Sequence, residues 1–285
     1  MTSSSVYAST HDAATIRTHE WRTIANSAAY LIPHLKPNMK ILDVGCGPGS
    51  ITIDLATNYV PQGSVIGLEY SSKPLLHAQK NLDAAAAAKK GDNNNEINVQ
   101  FVQGDVLDMK HLFADNTFDV VHAHQVLQHV PDPIKALEEM RRVVKPDGQG
   151  IIASRESASM TWYPKLPELD MWYNDVYLQV GRNLLGGNPD PGSFIHVWAQ
   201  KAGFERSMIT CSAGTWCFSK PEERRWWGGI WAERVLDPDY VEKAVDRGGY
   251  CTREELERIA AAFKDWAEDK DGWFTITHGE MICRK

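Results

Sequence analysis

Long apolar runs are missing from this sequence, and none approaches the roughly 18 residues of a membrane span. The first residues, MTSSSVYASTHDAATIRTHEWRT, lack the apolar core of a signal peptide. Cysteine is scarce and scattered: Cys46, Cys211, Cys217, Cys251 and Cys283 form no C-x-x-C pair and no metal-ligand spacing. That excludes a disulfide scaffold and reads as reduced thiols in a cytoplasmic protein. Positive charge is also in deficit. A net charge of -7 and a pI near 5.8 argue against nucleic acid as a partner, because phosphate binding wants a basic face. No internal repeat and no long linker is visible, and oligomeric state leaves no mark on the sequence. What remains is a chain for small ligands. Its 285 residues, 43% of them hydrophobic, suit one elaborated α/β domain.

Strand-like runs recur at KILDV, SVIGLE, NVQFVQ, FDVVHA and GIIAS, separated by helical spacing or polar loops. Such alternation predicts crossover units and a parallel sheet. LDAAAAAKKGDNNNE predicts a helix end running into a surface loop at Gly91, Asp92 and three asparagines. After GIIAS the rhythm changes. Residues 157–193 are rich in Trp, Tyr, Pro and Gly; FIHVWAQKAGF then predicts a helix stopping at Gly203, and RSMITCSA a strand. Residues 221–270 predict three helical pieces, and GWFTITHGEMICRK alternates like a closing strand. The aromatic-rich segments read as insertions around the last strands.

ILDVGCGPGSIT, Ile41 to Thr52, carries the most chemistry. A strand ending at Val44 must reach a helix near Ser50 through Gly45, Gly47 and Gly49, which admit backbone angles and close approach that a Cβ forbids. A dinucleotide site wants G-x-G-x-x-G, and the third glycine here is one residue early. A phosphate loop wants G-x-x-x-x-G-K, and no lysine follows. A nucleoside without pyrophosphate remains. Glu69, closing the second strand, suits both ribose hydroxyls. In VQGDVLD, Gly104 and Asp105 follow the third strand; Asp105 suits an exocyclic amine and Val106 a ring face. HAHQVLQHV follows the fourth, where the reacting end of a ligand belongs.

Taken in order, HEWRTIANSAAYL, ILDVGCGPGSIT, GLEYSS, QGDV, FDVVHAHQVLQHVPDP and RRVVKPDG resemble the class I S-adenosylmethionine-dependent methyltransferases, in the branch named after ubiquinone and menaquinone biosynthesis. The resemblance is tight from Arg17 to Gly148 and looser beyond. It implies a Rossmann-like, seven-stranded, mostly parallel sheet with helices on both faces and a helical cap. Residues 15–156 would then be the cofactor-binding core of a single 1–285 domain, with 157–193 and 221–270 as cap and acceptor-binding insertions. It also implies that Gly45 and Gly47 line the methionine half of the cofactor, that Asp43 orients its amino group, and that Arg22, in a helix before the first strand, takes its carboxylate. Cys46 and Tyr70 would add packing and backbone contacts.

His122 and His124, two apart on a strand, invite a metal, yet no carboxylate or cysteine nearby completes a set, so none is expected. His129 reads as a structural contact at a helix end. His124 and Gln125 open the loop beside the expected methyl group. Among the aromatics, Trp172 and Trp231 read as core, while Trp162 and Tyr163 are expected to roof an apolar acceptor. The function implied is methyl transfer to a small, hydrophobic thiol, hydroxyl or activated carbon by in-line displacement, with proximity as the main contribution. His124, Tyr163 and His196 are the candidate bases. The alternative is a non-methylating relative, a cofactor-binding regulatory protein or a pericyclase-like enzyme.

Overall fold

The computed structural model describes residues 13–89 and 97–285; the loop expected at Gly91 and Asp92 and the first 12 residues lie outside the described residues. The strands are β1 Lys40–Val44, β2 Ser64–Glu69, β3 Val99–Gln103, β4 Val120–His124, β5 Ile151–Tyr163, β6 Ile209–Phe218 and β7 Trp273–Arg284. They form one seven-stranded sheet in the order β3-β2-β1-β4-β5-β7-β6. β1 to β5 pair in parallel, and β7 runs antiparallel to both β5 and β6. The chain reverses strand order after β3, which opens a crevice at the carboxyl ends of β1 and β4, where such sheets bind ligands.

The helices are α1 Ala13–Glu20, α2 Ile24–Ser27, α3 Ser50–Asp54, α4 Ser72–Ala88, α5 Pro133–Val143, α6 Pro167–Met171, α7 Ile195–Lys201, α8 Pro221–Arg234, α9 Pro238–Val241 and α10 Arg253–Glu268. Successive strand residues face opposite sides of the sheet. Ile41, Val120 and Ile151 therefore pack with Ile24 and Leu31 on one face, while Leu42, Val121 and Ile152 pack with Leu137 and Met140 on the other. Asp43, His122 and His124 fall in register with the first set and rise along it to the crevice.

Two sequence expectations shift. β5 does not end near Ser154: it runs on to Tyr163, paired along its length with β7, so 157–163 is strand and the insertion begins after it. Polar Arg155, Glu156 and Ser157 disguise that strand, yet all three are buried. Secondly, Trp162, expected to roof the acceptor, packs instead with Trp172 and Trp231, which are core as expected. Trp162, Trp172, Trp227, Trp231, Phe263, Trp266 and Phe274 form a separate core joining α6, α8 and α10 to the extended ends of β5, β6 and β7. α10 shows how: a capping box at Thr252 starts it, and Leu256, Ile259, Ala260, Phe263 and Trp266 then make one apolar stripe. In REELER, Arg253, Glu254, Glu257 and Arg258 face solvent, while Leu256 belongs to the stripe.

Candidate functional site

The carboxyl ends of β1 to β4 open into one cleft. Gly45 and Gly47 form its inner turn with φ of 63° and 54°, the left-handed region that glycine enters without strain. A Cβ on Gly45 would strike Val126 Cγ2 at 2.5 Å, whereas one on Gly47 would meet only His19 Nδ1 at 3.9 Å. One glycine thus lets two loops touch, and the other leaves the cleft floor open. Cys46 donates its N–H to the Leu68 carbonyl at 3.0 Å, locking the turn to β2, and burial pushes its thiol well up.

Acids stand at three strand ends. Glu69 accepts from the N–H of Gly47 at 3.1 Å and of Ser71 at 3.0 Å, tying the glycine turn to the start of α4. Burial raises its pKa against those bonds. A carboxylate offers about four lone-pair sites, so the backbone bonds leave capacity for a ligand hydroxyl. Asp105 accepts from Leu107 N–H at 2.9 Å beside Gly104 and buried Val106. Tyr70, 48% exposed, stands at the rim. Asp43 is deeper: its oxygens accept from Thr52 at 2.6 Å and from Nδ1 of His122 at 2.7 Å. His122 therefore carries its proton on Nδ1 and serves the carboxylate. Among the described residues no group of three possible metal ligands is gathered.

Arg22 lies in the break between α1 and α2, not in a helix, because Thr23 caps α2 in an extended conformation. There its Nη2 donates to Gln125 Oε1 at 2.7 Å, and its guanidinium stands 5.4 Å from the Trp216 ring. Beyond Gln125, its Nε2 is 3.0 Å from His278 Nε2, and Arg155 Nη2 is 3.1 Å from His278 Nδ1. Arg155 is buried, 3.8 Å from Glu280, and also stands 5.4 Å from Trp216. Burial, then Arg22 and Arg155, hold His124 well below the usual imidazole range; burial, then Arg155 and Arg22, do the same to His278.

Arg22, Asp43, Gly45, Cys46, Gly47, Glu69, Tyr70, Gly104, Asp105, Val106, His124 and Gln125 all line this cleft. Tyr163 and His196 do not. Tyr163 sits eight residues past Arg155 on β5, about 26 Å along an extended strand, and is 59% exposed. His196 lies on α7, whose Ile195, Trp198 and Ala199 pack into the core with α5. Trp162 is 3% exposed and stacks on Phe274 at 5.6 Å, so it does not roof the cleft. His129, read as a helix-end contact, also lines the cleft, its imidazole pushed down to about 3 by burial. Sequence reasoning missed Ile16 and His19, which their three-residue spacing with Arg22 could have signalled. It also missed Arg155, Trp216 and His278, which nothing local marks.

Glu156 organises the loop after β4. Its carboxylate accepts from the N–H of Val126, Leu127 and Gln128 at 3.1, 2.9 and 3.3 Å, and burial lifts its pKa to about 7. That clamp presses Val126 onto Gly45 and sets Gln125 and His129 in the wall.

The residues present fit a nucleoside bearing an amino acid: an open turn at Gly47, a carboxylate for a diol at Glu69, and a guanidinium and a buried acid across the turn. Known proteins agree. Residues 35–188 match the family described as methyltransferase domain. The chain is 37% identical over 279 residues to an uncharacterised methyltransferase of Schizosaccharomyces pombe, covering 98% of this chain and 96% of that one. It is 32% identical to ltbC of Aspergillus luteorubrus, described by name as a methyltransferase, covering 98% and 97%. Among solved structures, YcgJ of Bacillus subtilis superposes with a TM-score of 0.54 at 19% identity, over 90% of this chain and 97% of that one. A Haemonchus contortus phosphoethanolamine N-methyltransferase holding S-adenosylhomocysteine superposes with a TM-score of 0.52 at 17% identity, over 96% and 57%. From the motif order, the cleft and these matches together, the chain belongs to the methyltransferase domain family and is an S-adenosylmethionine-dependent methyltransferase.

Proposed function

We propose that the chain methylates a small molecule, holding the cofactor along the ends of β1 to β4. The observation that carries this reading is the convergence of Gly47, Glu69, Asp105, Asp43 and Arg22 on one cleft. In it, Glu69 holds the ribose hydroxyls with the lone pairs that Gly47 and Ser71 leave over. Asp105 and Val106 take the adenine, and Tyr70 covers it from the rim. Arg22 pairs with the methionine carboxylate, and Asp43, kept in place by Thr52 and His122, faces the amino group. S-adenosylmethionine supplies a methyl group already activated on a sulfonium. The protein's task is then to align donor and acceptor and keep water out, so proximity carries much of the rate. We read residues 15–156 as the cofactor core, and the segment after Tyr163 together with 221–270 as a cap that fixes the long ends of β5 to β7.

Glu69→Ala and Asp105→Ala test the reading. Each removes charge-assisted hydrogen bonds worth about 1.5–3 kcal/mol, so S-adenosylhomocysteine should bind roughly tenfold to a hundredfold more weakly. Titration calorimetry reads this directly. Wild-type affinity in both variants sinks the assignment.

A further inference from the structure

The polar floor at the end of β4 has hydrogen-bonding capacity that the chain itself does not use. His124 is 5% exposed and lines the cleft, yet neither ring nitrogen has a partner among the described residues. Buried polar groups are ordinarily satisfied, so an orphan imidazole on a cleft wall marks a place where something binds. The ring is hemmed in by neighbours: His122 lies nearly parallel at 6.5 Å, Trp216 at 5.6 Å and His278 at 6.4 Å. Beside it, Gln125 has φ 54°, a left-handed conformation that a residue with a side chain adopts only when its surroundings impose it. They do so here: its N–H donates to the Arg155 carbonyl at 2.8 Å, and its amide lies between Arg22 and His278.

We infer that His124 and Gln125 form the acceptor subsite, that the acceptor is a hydroxyl compound of phenol or enol type, and that His124 takes the hydroxyl proton during transfer. This rests on the methyl-transfer reading above. A neutral imidazole offers one lone pair and one N–H, the complement of a hydroxyl. A thiol, with a pKa near 8.5, is partly ionised at neutral pH and needs no proton acceptor. A phenol keeps its proton to about pH 10 and is a poor nucleophile until relieved of it. As the acceptor oxygen forms its bond to the methyl carbon, the O–H bond breaks, its electron pair stays on oxygen, and the proton passes to the free lone pair of His124. The pair of the broken carbon–sulfur bond leaves with sulfur. One cation vanishes at sulfur and one appears as imidazolium, which returns its proton to water after product release. Burial and the neighbouring guanidiniums make His124 a weak base, but a proton on an oxygen gaining its third bond is acidic enough to reach it. Gln125, held by Arg22 on one side and His278 on the other, orients the acceptor.

His124→Phe keeps a flat ring in the stack and removes both nitrogens. Two readouts are combined: calorimetric affinity for S-adenosylhomocysteine, and binding and methylation of 1-naphthol and 4-hydroxycoumarin against thiophenol and benzylamine. The expected result is cofactor affinity within about threefold of wild type, 1-naphthol binding to the S-adenosylhomocysteine-loaded protein weakened about tenfold, and turnover of both hydroxyl compounds down about a hundredfold or more. The inference is overturned by unchanged hydroxyl turnover, by preference for thiophenol or benzylamine, or by failure of 1-naphthol to bind the loaded wild-type protein. Cofactor affinity falling together with turnover also overturns it, placing His124 in the cofactor site. Failure of the methyl-transfer reading looks different, because wild-type protein would then release no S-adenosylhomocysteine from S-adenosylmethionine with any of the four acceptors.

Discussion

Replacing Gly45 with alanine puts a methyl group where Val126 already stands. The backbone there has φ 63°, and the added Cβ would lie 2.5 Å from Val126 Cγ2 and 3.1 Å from Cγ1. Left-handed strain costs an alanine about 1–2 kcal/mol, and overpacking typically adds about 1–3 kcal/mol. Val126 cannot swing away freely, because its N–H is bound to Glu156. A loss of about 2–5 kcal/mol is expected. For 285 residues the unfolding entropy near the midpoint is about 0.6 kcal/mol per kelvin, so the melting temperature should drop by roughly 3–8 °C. Gly47→Ala is the control: its φ of 54° carries the same strain, but the Cβ meets nothing closer than 3.9 Å. It should lose only about 2–3 °C while weakening S-adenosylhomocysteine binding, since the new methyl group occupies cleft space. Val126→Ala separates strain from contact. In that background Gly45→Ala should cost about 1–2 kcal/mol less than in wild type, a coupling readable by thermal or denaturant melts. Additivity within about 0.5 kcal/mol would refute the claim that this glycine exists to let the two loops touch.

Glu156 predicts a pH dependence of stability. Unfolded, its carboxyl ionises near 4.5; folded, only near about 7, because burial opposes the charge. Between those values the folded state keeps a proton the unfolded state has lost, so stability falls as pH rises, by an amount on the order of 3 kcal/mol. Glu156→Gln should flatten that part of the melting-temperature profile between about pH 5 and about pH 8, and an unchanged slope would show that the group is ionised throughout. In the aromatic core, Trp162→Ala and Trp172→Ala should each cost about 3–5 kcal/mol, seen as a lower melting temperature, while S-adenosylhomocysteine affinity stays within about threefold. A selective loss of binding with normal melting would contradict the packing of both residues among other aromatics.

β1 and β4 were readable because strands buried on both faces write continuous apolar runs, and each glycine or acid of the cleft stands within three residues of a strand end. The same locality explains what was hidden. β5 past Ser154 looks polar, and only its pairing with β7 reveals Arg155 and Glu156 as buried strand residues. His278 and Arg155 lie 123 positions apart, so no window of sequence contains their contact. Trp162 and Tyr163 invited one role as neighbours in a strand, yet alternation sends the first into the aromatic core and the second to solvent. Arg22 was found by its type, although the break that frees it from the helix depends on the capping of Thr23.

The reversed direction of β7 has a temporal consequence. The residues that line the cleft are all synthesised by residue 131. The floor comes later. Glu280 and His278 arrive in the closing strand, which must insert between β5 and β6 before those two are joined into one sheet. On the proposed reading, the residues for nucleoside and for acceptor are thereby separated in the order of manufacture, the cleft being complete in sequence before the floor beneath it.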